Sequence, residues 1–527
     1  MRRGRILVPP NASRTSSHLP GQRRGGRRAM ECRDPRAFAL LCAAMFFVYS
    51  DQNLMAPNLS QIADFFGYDD DERDAKLGGQ ISVAFFLLGL PATLIIGLLC
   101  DVVQRKKVLV ATLLLGQGPC LLTIFVTEYW QLFVLRTLTG IAVGGALPLV
   151  YSIAGDLFPP TSRAYASAMV GICSSLGSMC GQGVAGFMGP TFGWRLPFAA
   201  VAAPGLVVAW LVHAFAEEPA RGVAEGKADE EDGDDESQSG GKAAYAETST
   251  AAVDDATKTK TKTSDEPYDE NSIRVTFLTR LALDFARKSR SVISRRTNVL
   301  GFLQGIPGCV PWSIISVFMN DYLANDKGLG VEAATSLLMC FGLGAMGGTV
   351  GGGVVGQRLY NASPVYATSF MGAAAVAGIF PWLFLVHADD YDGNDASAMS
   401  QKCAVAIFAG LLCSVTGVNV RAMTVNVNDP RERGTAFAWF NLTDDLGKGF
   451  GPVLIAYLIH RMGRQKAFEL GFWFWVPCGV LCALCGLTVP KDEARVRRSA
   501  ESLRQRRSGG GEGETASLLG KGGDKMV

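Results

Sequence analysis

Six charged residues stand inside stretches of this sequence that are otherwise apolar. They are Asp51 in FFVYSDQNLMAPNL, Arg136 in LRTLTGIAVGGA, Arg421 in TGVNVRAMTVN, and Asp444, Asp445 and Lys448 in FNLTDDLGKGFGP. A charge in an apolar medium is costly and turns to a partner or to a water-filled cavity. A carboxylate beside a cation in such a place has one simple chemistry: taking up a proton releases the partner. Lys448 follows Asp444 by four residues and Asp445 by three, so it is within reach on a helical face. Adjacent residues of a helix point about 100° apart, so one carboxylate is left over. Arg421 is the nearest further cation. The pattern predicts a cluster of Arg421, Asp444, Asp445 and Lys448 whose formal charge is zero, which makes burial tolerable. Gly447, Gly449, Gly451 and Pro452 loosen the same helix, as a moving gate requires. Asp51 and Arg136 are expected to form a second, switchable pair. For both groups the alternative is a static network that only fixes helix packing.

The elements that carry these charges are long apolar runs. Of 527 residues, 48% are hydrophobic and 19% charged, and the net charge is only +2. A run of about 20 apolar residues crosses roughly 30 Å of hydrocarbon as a helix. Twelve such spans are predicted, near 37–59, 78–100, 108–128, 131–155, 165–189, 194–216, 298–323, 332–356, 365–388, 402–427, 434–460 and 466–490. Soluble helices would alternate polar and apolar faces, and these mostly do not. The expected fold is an all-α membrane protein. Counted along the spans, Arg136 lies about 8 Å, and Asp51 about eight residues, below the same outer edge. They are therefore expected together in the outer half of a central cavity. Asp444 and Asp445 are expected near mid-bilayer.

Lys and Arg in short loops set the orientation. The first 36 residues hold ten Arg against one Glu and one Asp; DVVQRKK follows span 2 and NDPRERG follows span 10. The loops ADFFGYDDDERD and ADDYDGNDAS, after spans 1 and 9, are acidic. Both termini are thus expected in the cytosol. One loop disagrees: HRMGRQK, after span 11, is basic where the count puts the outside.

The domain organisation follows. Residues 1–36 are a basic cytosolic segment, for which an organellar transit peptide is the alternative. Residues 37–216 form a first six-helix bundle. Residues 217–297 form a cytosolic linker. It opens on an acidic, low-complexity run expected to be disordered, and ends on RLALDFARKSRSVISRR, an amphipathic stretch fit to lie on the inner membrane face. Residues 298–490 form a second six-helix bundle, and 491–527 a cytosolic tail. Two bundles joined by such a linker have the architecture of many secondary transporters. In the tail, Glu514 with Leu518 and Leu519 has the spacing of an acidic dileucine sorting signal, which would bring adaptor proteins as partners.

The turn after span 2, GLLCDVVQRKK, resembles the signature of the major facilitator superfamily at this place. Gly97, Asp101, Arg105 and Lys106 carry the likeness. It implies a twelve-helix fold of two pseudo-symmetric six-helix bundles and a gating role for this turn. Independently of the likeness, Arg105 and Lys106 are expected to anchor in the headgroups. Arg136 with Gly140 and Gly144 is similar to the family's fourth-helix motif. The second half keeps a worn copy of the first turn, GGVVGQRLYN.

RTLTGIAVGGALPLVYSIAGDLFPPTSRA followed by GWRLPF resembles the Spinster-like branch of that superfamily. The resemblance implies a proton-coupled transporter of lysophospholipids or sphingoid-type lipids, in an endolysosomal, vacuolar or plasma membrane. Gln52 and Val143 depart from the branch. A transporter of a sugar, organic anion or other small solute therefore stays open, as does a transporter-like receptor that moves nothing.

Other signals are discounted. GLGAMGG contains GxGxxG with no strand before it; Gly344, Gly348 and Gly352 at four-residue spacing instead fit close helix packing. Cys482 and Cys485 have no second pair or His nearby, and the four His are scattered, so no metal site and no cofactor is expected. No nucleophile, base and orienting acid combine into an enzyme site. The expected partners are the bilayer, a small-molecule or lysolipid substrate and protons, with no nucleic acid.

Overall fold

The computed structural model describes residues 32–158, 162–217, 270–388, 396–429 and 432–519. With no water to satisfy backbone groups in a bilayer, each apolar run must close its own hydrogen bonds, and a helix does so. The described residues are helical throughout, with no strand. The spanning helices are α1 (Pro35–Phe66), α2 (Ile81–Val102), α3 (Arg105–Leu122), α4 (Tyr129–Leu157), α5 (Arg163–Phe192), α6 (Leu196–Phe215), α7 (Arg296–Asp326), α8 (Val331–Ala362), α9 (Pro364–His387), α10 (Ala396–Asn426), α11 (Arg433–Met462) and α12 (Trp475–Leu519). Among the described residues, eleven segments are long and apolar enough to cross a membrane. The twelfth helix, α11, has 30 residues and is interrupted only by Asp444, Asp445 and Lys448. Phe125, Trp130, Phe215 and Leu487 are each more than 60% exposed. Large apolar groups left uncovered on so many helices are what a lipid-facing surface looks like.

The chain passes between two faces. One, the terminal face, carries the start of α1, the α2–α3 turn, the α10–α11 loop and the linker helix Glu270–Ile293. The other, the far face, carries the α1–α2, α7–α8 and α11–α12 turns. Two halves repeat one packing scheme: α1 on α5, α2 on α4 and α3 on α6, then α7 on α11, α8 on α10 and α9 on α12. The glycines singled out above lie at these crossings. A Cβ on Gly140 would overlap the Phe85 carbonyl, and one on Gly144 would sit 2.5 Å from the Gly89 oxygen. In the second half, Gly344 and Gly348 meet the backbone of Ile407 and Leu411, and Gly352 meets Val415. Only glycine lets helix axes approach this closely.

The linker helix differs from a helix lying free on the membrane. One side packs on α11, where Trp439 Nε1 donates to Ser289 Oγ at 3.0 Å. Leu283 on another side stays exposed. Just beyond it, Arg295 is held by Asn428 Oδ1, Asp429 Oδ2 and Glu432 Oε2 at 2.5, 2.9 and 2.6 Å. The acidic residues of the NDPRERG loop are therefore used to anchor the start of the second half. The expected acidic run of the linker, together with residues 1–31, lies outside the described residues. The helical backbone of α12 continues to Leu519, while the side chains of Glu514, Leu518 and Leu519 lie outside the described residues.

Candidate functional site

In the first half, Arg136 Nη1 lies 2.8 Å from Asp51 Oδ1. The Cys120 thiol of α3 donates to the same carboxylate oxygen at 3.0 Å. The guanidinium also lies over the Phe198 ring of α6, 4.8 Å from its centroid, a favourable cation–π placement. Asp51 is 1% and Arg136 2% exposed. The pair is therefore enclosed by α1, α3, α4 and α6 and not open to a central cavity, a correction to the sequence reading. Cys120 touches its carboxylate and Phe198 its guanidinium.

In the second half the expected four-charge cluster does not close. Lys448 Nζ lies 3.4 Å from Asp445 Oδ1. Asp444, turned by one residue, faces Gly305 of α7 instead: a Cβ on that glycine would stand 2.6 Å from its Oδ1. Among the described residues neither Asp444 nor Arg421 makes an ion pair. Arg421 is exposed, with its guanidinium 5.9 Å from the Phe440 ring centroid. α10 rests on α8, where Asn419 Nδ2 donates to the Gly352 carbonyl at 3.0 Å, and Arg421 stays within electrostatic range of Asp444 without touching it. The site is one ion pair, Asp445–Lys448, with Asp444 and Arg421 near enough to act on it electrostatically but out of ion-pair contact.

Asp445 also lines a cavity of about 160 Å³ between α2, α11 and the linker helix. Thr93, Phe285, Ala438, Trp439, Asn441 and Leu442 make up the rest of its wall. It is an apolar pocket with a carboxylate and an amide at one side. Sequence reasoning missed it, because Phe285 reaches it from a segment far away in the chain.

At the terminal face, Arg105 does not reach for headgroups. It is 3% exposed and its Nη1 bonds Asp156 Oδ2 at 2.6 Å and Ser152 Oγ at 3.1 Å, tying α3 to the end of α4. Lys106 beside it is partly exposed. Gly97 and Asp101 fall on the backbone of α2, and the Asp101 side chain lies outside the described residues. Among the described residues no group of His, Cys, Asp and Glu has the arrangement of a metal site.

A further set of charges went unread. Arg73, Asp74, Asp321 and Arg464 meet at the far face and are each less than 9% exposed. The one signal of it in the sequence was the discordant loop HRMGRQK, whose Arg464 belongs to this group.

Twelve spanning helices among the described residues, two halves of like packing and buried charges in each half define a multi-pass membrane protein of the transporter type. A sequence model of the Major Facilitator Superfamily matches residues 41–391 and 312–519, and the chain belongs to that superfamily. Among solved structures, a bacterial homolog to human lysosomal transporter Spinster, in an inward-facing and unoccupied conformation, aligns with a TM-score of 0.65 at 16% identity, over 86% of this chain and 97% of that one. A D-xylose-proton symporter aligns with a TM-score of 0.56 at 14% identity, over 86% of this chain and 96% of that one. Identities this low speak for the fold. Among curated relatives, the inner membrane transport protein YnfM of Escherichia coli is 28% identical over 128 residues, 24% of this chain and 30% of that protein. Synaptic vesicle glycoprotein 2B of Homo sapiens is 27% identical over 154 residues, 28% of this chain and 22% of that protein. The chain thus matches less than a third of the length of either.

Proposed function

We propose that this protein is a secondary transporter that works by alternating access, coupled to protons, and that it moves a lysophospholipid or sphingoid-type amphiphile. The observation that carries the reading is the pairing of an apolar pocket with charges: the cavity beside Asp445 has room for a short stretch of acyl chain, and the Asp445–Lys448 pair with Arg421 suits a charged headgroup. The Asp51–Arg136 pair, buried apart from it, is suited to carry the proton. Protonation of Asp51 removes the charge that holds Arg136 and frees the helices that the pair joins. The turn of Gly97, Asp101, Arg105 and Lys106 is the gating element of the terminal face, which the Lys/Arg excess assigns to the cytosol. The tail signal, Glu514 with Leu518 and Leu519, directs the protein through adaptors to an endolysosomal or vacuolar membrane. Fold alone does not fix a substrate, and a relative such as the purine ribonucleoside efflux pump NepI carries a small solute in its name.

The test is counterflow uptake in proteoliposomes with labelled lysophosphatidylcholine and a labelled hexose side by side. Lysolipid uptake without hexose uptake supports the reading. Hexose uptake, or uptake of neither, removes the lipid assignment.

A further inference from the structure

The far face joins the two halves through charges that nothing in the proposed transport site uses. Three stretches of charge come together there. The first is Asp70–Asp74, where the chain turns into α2. The second is Asp321–Asp326, at the end of α7. The third is His460–Arg464, between α11 and α12.

Arg464 stands at the centre. Across the halves it grips Asp74 with two bonds, Nη2 to Oδ1 at 2.6 Å and Nε to Oδ2 at 3.0 Å. Within its own half, Nη1 reaches Asp321 Oδ2 at 2.8 Å and Asp326 Oδ2 at 2.7 Å. Arg73 stands opposite it in the first half, with Nε 3.1 Å from Asp74 Oδ1 and Nη1 2.7 Å from Asp70 Oδ1, and a longer crossing contact of 3.7 Å from Nε to Asp321 Oδ2. Ser60 N adds a crossing bond to Asp321 Oδ1 at 3.0 Å.

The charge arithmetic makes this arrangement reversible. The four buried groups, Arg73, Asp74, Asp321 and Arg464, sum to zero. When the halves part, Arg73 keeps Asp74 and Asp70, and Arg464 keeps Asp321 and Asp326. Neither half is left with an uncompensated buried charge, the outcome that makes breaking a buried pair so costly. Only the crossing bonds are lost. Such ion sets contribute little net stability and are best attested as devices that fix register or switch between states. The backbone around them is unusual as well. π-helical turns run over Arg73–Gln80, Ile314–Phe318 and Tyr322–Asp326, and π-turns in helices gather at functional places. The apolar seams nearby close the same end. Gly79 of the first turn packs on Val453 of α11, and Gly186 of α5 on Thr335 of α8.

We propose that Arg464 is the far-face latch of the transport cycle. Its bonds to Asp74 hold the halves closed at that face and break when the protein opens there, while its bonds to Asp321 and Asp326 persist. The latch rests on the alternating-access reading but not on any substrate.

Hydrogen–deuterium exchange of the purified full chain in nanodiscs tests it without a ligand. The readout is the exchange of far-face peptides covering 66–80, 316–330 and 460–468. Arg464→Gln and Asp74→Asn should each speed exchange there by tenfold or more, and slow it at the terminal-face turns. Unchanged far-face exchange in either folded variant overturns the proposal. Should both single variants fail to fold, Arg464→Lys decides, because lysine keeps the charge beside Asp321 and Asp326 but cannot make the two-bond grip on Asp74. Faster far-face exchange in that variant supports the crossing bond, and wild-type protection contradicts it. A protein that responds in exchange yet transports nothing in proteoliposomes keeps the latch and loses the transporter reading.

Discussion

Arg136 of α4 donates from Nη1 to Oδ1 of Asp51 in α1 at 2.8 Å, with neither residue more than 2% exposed. Removing one member of such a pair leaves a bare charge in a dry site and typically costs about 3–5 kcal/mol. Arg136→Ala is therefore expected to lower the thermal unfolding temperature of the purified protein sharply. The double variant Asp51→Asn with Arg136→Gln, which leaves no charge behind, should recover most of the loss. Equal destabilisation by the single and double variants would mean that the charges are not compensating each other.

Gly344 and Gly410 lie at the α8–α10 crossing, where a Cβ on the first would overlap the Ile407 carbonyl and one on the second the Phe341 carbonyl. Overpacking a seam of this kind costs about 1–3 kcal/mol or more. Gly344→Val should reduce the yield of folded, monodisperse protein. Gly171→Ala, at a position with nothing within 4 Å of the added carbon, serves as the control. Comparable yields from the two variants would contradict the packing account.

Arg421 is exposed and makes no ion pair among the described residues. Its removal should leave stability within about 0.5 kcal/mol, the usual range for exposed positions without special contacts. If it receives a headgroup, Arg421→Ala raises the lysolipid concentration needed for half-maximal uptake while the unfolding temperature stays put. A large fall in stability with unchanged uptake would assign it a structural role instead.

How far the sequence could be read varied with the kind of information needed. The spans were legible because hydrocarbon thickness sets a length and lipid sets a composition. Even α11, the one helix too charged to pass as apolar, was placed by its flanks. Asp51 and Arg136 were matched by counting depth along two helices, and they do meet. Depth gives no rotation and no neighbour list, however. Arg421 and Asp444 come near one another without closing an ion pair, and Arg105, expected at the headgroups, is buried against Asp156. The far-face set escaped for a similar reason. Arg73, Asp74, Asp321 and Arg464 sit at helix ends, where charges are expected as loop decoration, and they come together only when three separate turns close on one another.

The central claim is that the Asp51–Arg136 pair couples substrate movement to protons. The most direct measurement is lysophosphatidylcholine uptake by Asp51→Asn proteoliposomes with and without an inward-acidic gradient, beside the wild type. The account predicts that wild-type uptake rises with the gradient, while the variant still exchanges substrate but ignores the gradient. Full gradient dependence in Asp51→Asn would contradict it.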